Sequence, residues 1–130
     1  MKSVPTLTIT KTAKGRLPRL PFAKMKDSVL GKDYRLSLVF SSVSLMRKLN
    51  RQFRNKDKAT DILSFPLDEK NGEIFISLEE SRKEAEIFKR GFENFLSFLF
   101  IHGLLHLKGM RHGSTMESEE KRLSARFLRS

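Results

Sequence analysis

The segment that most restricts the fold is Phe92–Lys108, FENFLSFLFIHGLLHLK. Drawn as a helix it is apolar almost all round, so no orientation gives it a solvent face. A helix of that kind has to lie centrally, with other elements packed about it. Its apolar run is too short to span a bilayer and contains two histidines, which also points to a buried helix. Phe92, Phe95, Phe98 and Phe100 therefore read as core rather than as a base-stacking platform, and Leu104, Leu105 and Leu107 as core with them.

The remaining segments supply the packing partners. Thr6–Lys11 alternates apolar and polar residues, as a half-buried strand does. Phe22, Met25, Val29 and Leu30 fall at helical spacing before Gly31, a helix stop. Tyr34–Ser41 is a second strand. Ser42 or Ser44 can cap the next helix, LMRKLNRQFR, whose apolar stripe is Leu45, Leu49 and Phe53. Asp61–Leu67 is strand-like, with Pro66 marking an edge or a strand end. The turn residues DEKNG lead into a paired strand, EIFIS. Ser77 with Glu80 matches a capping box for a fourth helix-forming stretch, which Gly91 separates from the apolar helix. Met116–Leu128 is a final amphipathic helix. The 130 residues (1–130) thus predict one α+β domain, with about four strands and about five helices, long enough to bury a core.

The chain has three histidines, and all lie in HGLLHLKGMRH: His102, His106 and His112. Residues i and i+4 share a helix face one turn apart, so His102 and His106 can aim two imidazoles at one centre. Gly109 can take the left-handed conformation that ends a helix, letting His112 return as a third ligand. There are no cysteines, so a transition-metal site must use imidazole or oxygen. Three protein ligands leave one position of a tetrahedral zinc ion open, the catalytic rather than the structural pattern. The expectation is one zinc ion per chain, held by His102, His106 and His112, with His102 counted among the catalytic residues. The spacing also fits the metzincin protease pattern, except that Gly103 stands where those enzymes carry their glutamate base. That argues against a protease and leaves the general base unassigned.

Lysine and arginine number 26 against 15 acidic residues, a formal charge of +11. Such an excess favours an anionic partner, nucleic acid first. Arg47, Lys48, Arg51, Lys56 and Lys58 surround Arg54 in sequence and are the candidate RNA-binding patch. Lys11, Lys14, Arg16 and Arg19 form a second basic run with no motif. The opening MKSVPTLTITK lacks the apolar core of a signal peptide, so the expected location is the cytoplasm, with no membrane contact.

Three blocks then carry a family resemblance. HGLLHLKGMRH (102–112) is similar to the metal signature of the YbeY family of bacterial endoribonucleases. LNRQFRNKDKATDILSFP (49–66) and GEIFIS (72–77) resemble two further blocks of that family, in the same order. The likeness runs from about Tyr34 to Met116. It departs where the family's Tyr-Asp before the last histidine is Met110-Arg111, and the chain is shorter than most members. The resemblance implies an α+β fold with a small mixed sheet and a zinc-dependent, single-strand-specific endoribonuclease. It implies rRNA and the small ribosomal subunit as partners, with roles in maturing the 3′ end of small-subunit rRNA and in ribosome quality control. It also implies a functional arginine at Arg54, where a guanidinium can bind two phosphate oxygens at once. Thr60, Asp61, Ser64 and Pro66 lie in the second block, and Asp61 reads as a cap or brace of the strand rather than as a group that orients a metal ligand. Attack by metal-activated water and by the ribose 2′-hydroxyl are both chemically available. The competing reading is a non-catalytic rRNA-binding assembly factor with a structural zinc.

Overall fold

A helix with no polar face needs partners on several sides, and the computed structural model, which describes residues 6–13, 15–111 and 113–127, supplies them. In chain order the elements are β1 (Leu7–Lys11), α1 (Phe22–Leu30), β2 (Arg35–Phe40), α2 (Val43–Arg54), β3 (Ile62–Asp68), β4 (Asn71–Ile76), α3 (Leu78–Ile87), α4 (Phe92–Leu107) and α5 (Ser114–Phe127). All nine were legible from pattern, with starts within two residues of those expected; Leu128, the expected end of the last helix, lies outside the described residues. The fold is α+β: five helices with one mixed four-stranded sheet, ordered β1-β2-β4-β3. β1–β2 and β2–β4 are parallel, and β3–β4 is an antiparallel hairpin.

The two central strands, β2 and β4, alternate as a one-sided sheet requires, whereas the edge strand β1 is exposed from Thr8 to Lys11 and does not show the half-buried alternation expected of it. Leu36, Leu38 and Phe40 of β2 and Gly72, Ile74 and Ile76 of β4 point inward. They share one core with Phe22, Met25 and Val29 of α1 and with Leu96, Phe100, Ile101, Leu104 and Leu105 of α4. Phe22 meets Phe100 edge to face, with ring centroids 5.1 Å apart. Each fully buried side chain of this size contributes about 1.5–3 kcal/mol. α4 touches α1, α3, α5 and β3, which is why its pattern has no polar side. Pro66 sits on the edge strand β3, opposite Gly72, where its missing N–H costs no ladder bond to a further strand.

Among the described residues one charged side chain is fully buried. Lys26 of α1 donates to Thr6 Oγ1 at 3.0 Å, Gly31 O at 3.1 Å and Tyr34 O at 2.9 Å, and its ammonium lies 2.7 Å from Asp27 Oδ1. It satisfies carbonyls at the end of α1 and ties that end to the start of β1 and β2, so its desolvation is matched by bonds.

The caps follow the sequence. Ser42, not Ser44, accepts the Leu45 amide, and Ser77 accepts the Glu80 amide. The Glu80 carboxylate lies 3.5 Å from Lys83, so the box is closed on the Ser77 side only. The expected stripe of α2 needs correction. Met46 and Asn50 are buried, Leu45 and Leu49 are half-buried, and Phe53 is 60% exposed. Asn50 is held inward because its amide donates to Lys58 O at 2.9 Å. Phe53 is two turns beyond Met46 on the same face. At that point α2 has run past the core, and the ring stands at a cleft.

Candidate active site

The end of α4 is built by local chemistry. Gly109 has φ +99°, the left-handed conformation expected of it. Its amide bonds His106 O and the Met110 amide bonds Leu105 O, each at 3.0 Å. These two bonds define a Schellman motif, which favours an apolar residue at the position Met110 occupies. Met110 indeed packs against the core. The departure at residue 110 therefore has a packing role here; nothing in the structure explains the exposed Arg111.

With that helix end fixed, His102 and His106 stand one turn apart with their Nε2 atoms 2.9 Å from one another. Two nitrogen lone pairs that close repel unless a proton or a cation lies between them. Zinc–nitrogen bonds of about 2.0–2.1 Å place two ligand nitrogens roughly 3.3 Å apart round a tetrahedral ion, so the pair needs little adjustment to share one. The donor set therefore fits a metal. His112 lies outside the described residues, and the structure brings together two of the three expected ligands.

A residue not singled out from sequence completes the pair. Glu120 of α5 is buried, and its Oε1 lies 3.3 Å from His102 Nδ1. A carboxylate on Nδ1 selects the tautomer that leaves Nε2 free to bind a metal, and fixes the ring plane. The available signal was a carboxylate on the inward stripe Met116, Glu120, Leu123 of α5. Glu120→Gln is expected to weaken zinc affinity by about 10- to 100-fold with the fold retained. Competition with a chromogenic chelator measures it, and unchanged affinity would remove Glu120 from the site.

Asp61 does not make that contact. Burial, followed by the nearby Glu84 charge, raises its pKa above the ordinary 3.8. Hydrogen bonds from the Asp61 and Ile62 amides and the proximity of His102 act in the opposite direction. Because the folded-state value is raised, the unfolded chain loses this proton first as pH rises. Stability then falls between pH 3.8 and the raised value, and the deficit persists above it. Asp61→Asn is expected to be more stable than wild type at pH 7 and to lose that advantage below pH 3.8. Urea unfolding at the two pH values tests this.

The histidines open onto a cleft of about 650 Å³ lined by Phe53, Arg54, Ile62, Leu63, Ser64, Phe65, His102, Gly103 and His106. A Cβ built on Gly103 would lie 2.9 Å from Ile62 Cδ1, 3.0 Å from Ser64 Oγ and 3.2 Å from Ile74 Cδ1. Gly103 is thus where α4 presses onto β3 and β4, and Ser64 Oγ donates to its carbonyl at 3.4 Å. A side chain at this position would start in tight contact with Ile62, Ser64 and Ile74.

Arg54 closes α2, where Asn55 takes a left-handed conformation with φ 56° and redirects the chain. Arg54 lines the same cleft as both histidines. The other basic candidates are placed differently. Arg47 is bonded to Asp57 at 2.9 Å and 3.2 Å, and Arg51 lies 4.0 Å from the same carboxylate. The Arg47 hydrogen bond and charge hold the Asp57 carboxyl below the usual range. Lys48, Lys56 and Lys58 are exposed. None of these five is among the described residues lining the cleft, and among the described residues Arg54 enters no ion pair. In the second basic run, Lys14 lies outside the described residues. No helix among the described residues is long and apolar enough to cross a membrane.

Comparison with known proteins gives the family and the fold. The family model described as Endoribonuclease YbeY matches residues 7–127. A protein of that name from Staphylococcus carnosus is 36% identical over 119 residues, covering 82% of this chain and 76% of its own length. One from Nautilia profundicola is 44% identical over 84 residues, covering 62% of this chain and 60% of its own. A solution structure of a Thermotoga maritima protein superposes with a TM-score of 0.65 at 26% identity, covering 91% of this chain and 86% of that one. The family-model match over nearly the whole sequence, the relatives of that name and the shared fold lead to one assignment: the chain belongs to the endoribonuclease YbeY family, whose members are RNA-cleaving hydrolases.

Proposed function

We propose that this chain is a zinc-dependent endoribonuclease specific for single-stranded RNA. On this reading it acts in the cytoplasm on the small ribosomal subunit, in maturation of the rRNA 3′ end and in ribosome quality control. The observation that carries the reading is one cleft, in a chain of this family, lined both by a facing imidazole pair and by an arginine that has no carboxylate partner among the described residues. His102 and His106, with His112 as third ligand, would hold the ion. When bound, zinc supplies Lewis-acid polarisation and a nucleophile at neutral pH. Glu120 fixes the His102 ring. Arg54 binds oxygens of the scissile phosphate and stabilises the negative charge that grows on them during cleavage. Gly103 supports RNA over peptide as substrate, because the position of a protease base is filled by packing.

The purified chain is expected to contain one zinc and to cut a single-stranded precursor of the small-subunit rRNA 3′ end. Chelation should stop cleavage and zinc should restore it. Stoichiometric zinc with RNA binding and no cleavage would favour the assembly-factor reading. A carefully prepared protein with neither metal nor cleavage would sink the proposal.

A further inference from the structure

Among the described residues, five large apolar side chains are exposed: Ile9, Phe53, Leu67, Ile87 and Phe88. Phe53 alone of these lines the cleft. It is 60% exposed on a helix whose spacing predicts it buried. It is not left to move freely. Phe65 of β3 meets it at a centroid distance of 5.3 Å with the ring planes 63° apart, and Phe75 of β4 backs Phe65 at 5.8 Å. A row of three rings thus runs from the sheet surface to the cleft and ends on an open aromatic. The next residue in sequence is Arg54.

We propose that Phe53 is a base-stacking subsite, and that it receives a nucleobase next to the phosphate held by Arg54. This rests on the ribonuclease reading and adds to it the physical origin of single-strand selectivity. Every base has a π face, so an exposed ring accepts any of them by stacking. A duplex already stacks and pairs its bases, and a base must be unstacked before a protein ring can receive it. A cleft that binds phosphate through Arg54 and requires a free base on Phe53 therefore favours single strands without reading sequence. Phe65 and Phe75 hold the ring in position, so little freedom is lost when a base lands on it.

The chain has no tryptophan, so Phe53→Trp introduces a lone indole as reporter. The probes are a single-stranded oligoribonucleotide and an abasic strand of equal length and charge, both end-labelled and mixed with protein in chelator to prevent cleavage. The ordinary strand is expected to quench the indole and the abasic strand to leave it bright. Phe53→Ala should weaken binding of the ordinary strand by about 5- to 100-fold while binding the abasic strand as wild type does. In zinc, the same variant should raise KM by a similar factor with kcat largely kept, and Phe53→Tyr should restore it. If wild type binds and cleaves RNA but Phe53→Ala binds the ordinary strand equally well, the subsite is overturned and the ribonuclease reading stands. If wild type neither binds nor cleaves the RNA, with or without zinc, both fall together.

Discussion

Arg54→Ala is expected to reduce RNA cleavage by about 10²–10³-fold while leaving zinc content unchanged. The side chain is exposed, so its removal creates no cavity. Its contribution to α2 is that of a cation at a helix C-terminus, about 0.3–1 kcal/mol. Structural and catalytic contributions therefore separate cleanly at this position. Arg54→Lys should recover little, because an ammonium keeps the charge but loses the planar fork that engages two phosphate oxygens. His102→Ala is the matching control, and it should lose zinc and cleavage together. Metal content and cleavage measured side by side on the three proteins decide the matter. Loss of zinc from Arg54→Ala would make Arg54 structural and end its proposed role.

Gly103→Glu, which completes the zinc-protease pattern in the sequence, is expected to unfold the protein rather than create a protease. Its Cβ alone would press on Ile62, Ser64 and Ile74. The carboxylate beyond would be forced between α4 and the sheet, where Ile74 and Leu104 are fully buried. Burying an unpaired charge and overpacking a core together cost more than about 4–5 kcal/mol, against a typical domain stability of about 5–15 kcal/mol. Gly103→Ala is the informative companion. The nearest atom it meets is the end of a flexible side chain, and alanine favours helix by up to about 1 kcal/mol, so its net loss should be small. Thermal unfolding by circular dichroism tests both. A well-folded Gly103→Glu protein would show that the α4–sheet contact is looser than described.

The elements were readable because their signals are local. Alternation, helical spacing, capping serines and Gly109 each act within a few residues, and they located the elements even where, as in β1 and α2, the buried face differed from the pattern. The same holds for His102 and His106, whose common face follows from one helical turn. What was not readable depends on partners distant in sequence. Glu120 matters because α5 returns across α4, 18 residues away. Lys26 is buried because the Thr6 hydroxyl and the carbonyls of Gly31, Lys32 and Tyr34 meet its tip. Phe53 was misplaced for a related reason: periodicity gives the face of a helix but not where the core beneath it ends. Among the basic residues, sequence proximity to Arg54 did not distinguish side chains paired with Asp57 from the one lining the cleft.

The way α4 is enclosed has a consequence for how the cleft moves. Most residues of its middle, from Leu96 to Leu105, are buried against α1, α3, α5 and β3. Their amides belong to the class whose hydrogens exchange with solvent only when the whole domain opens. The last turn of α2, Arg51 to Arg54, is exposed and can exchange through local opening. Deuterium uptake should therefore be slow on the histidine side of the cleft and fast on the arginine side. An ion would be held by a static wall and an RNA strand admitted by a breathing one, so metal loss and substrate entry would run on separate clocks.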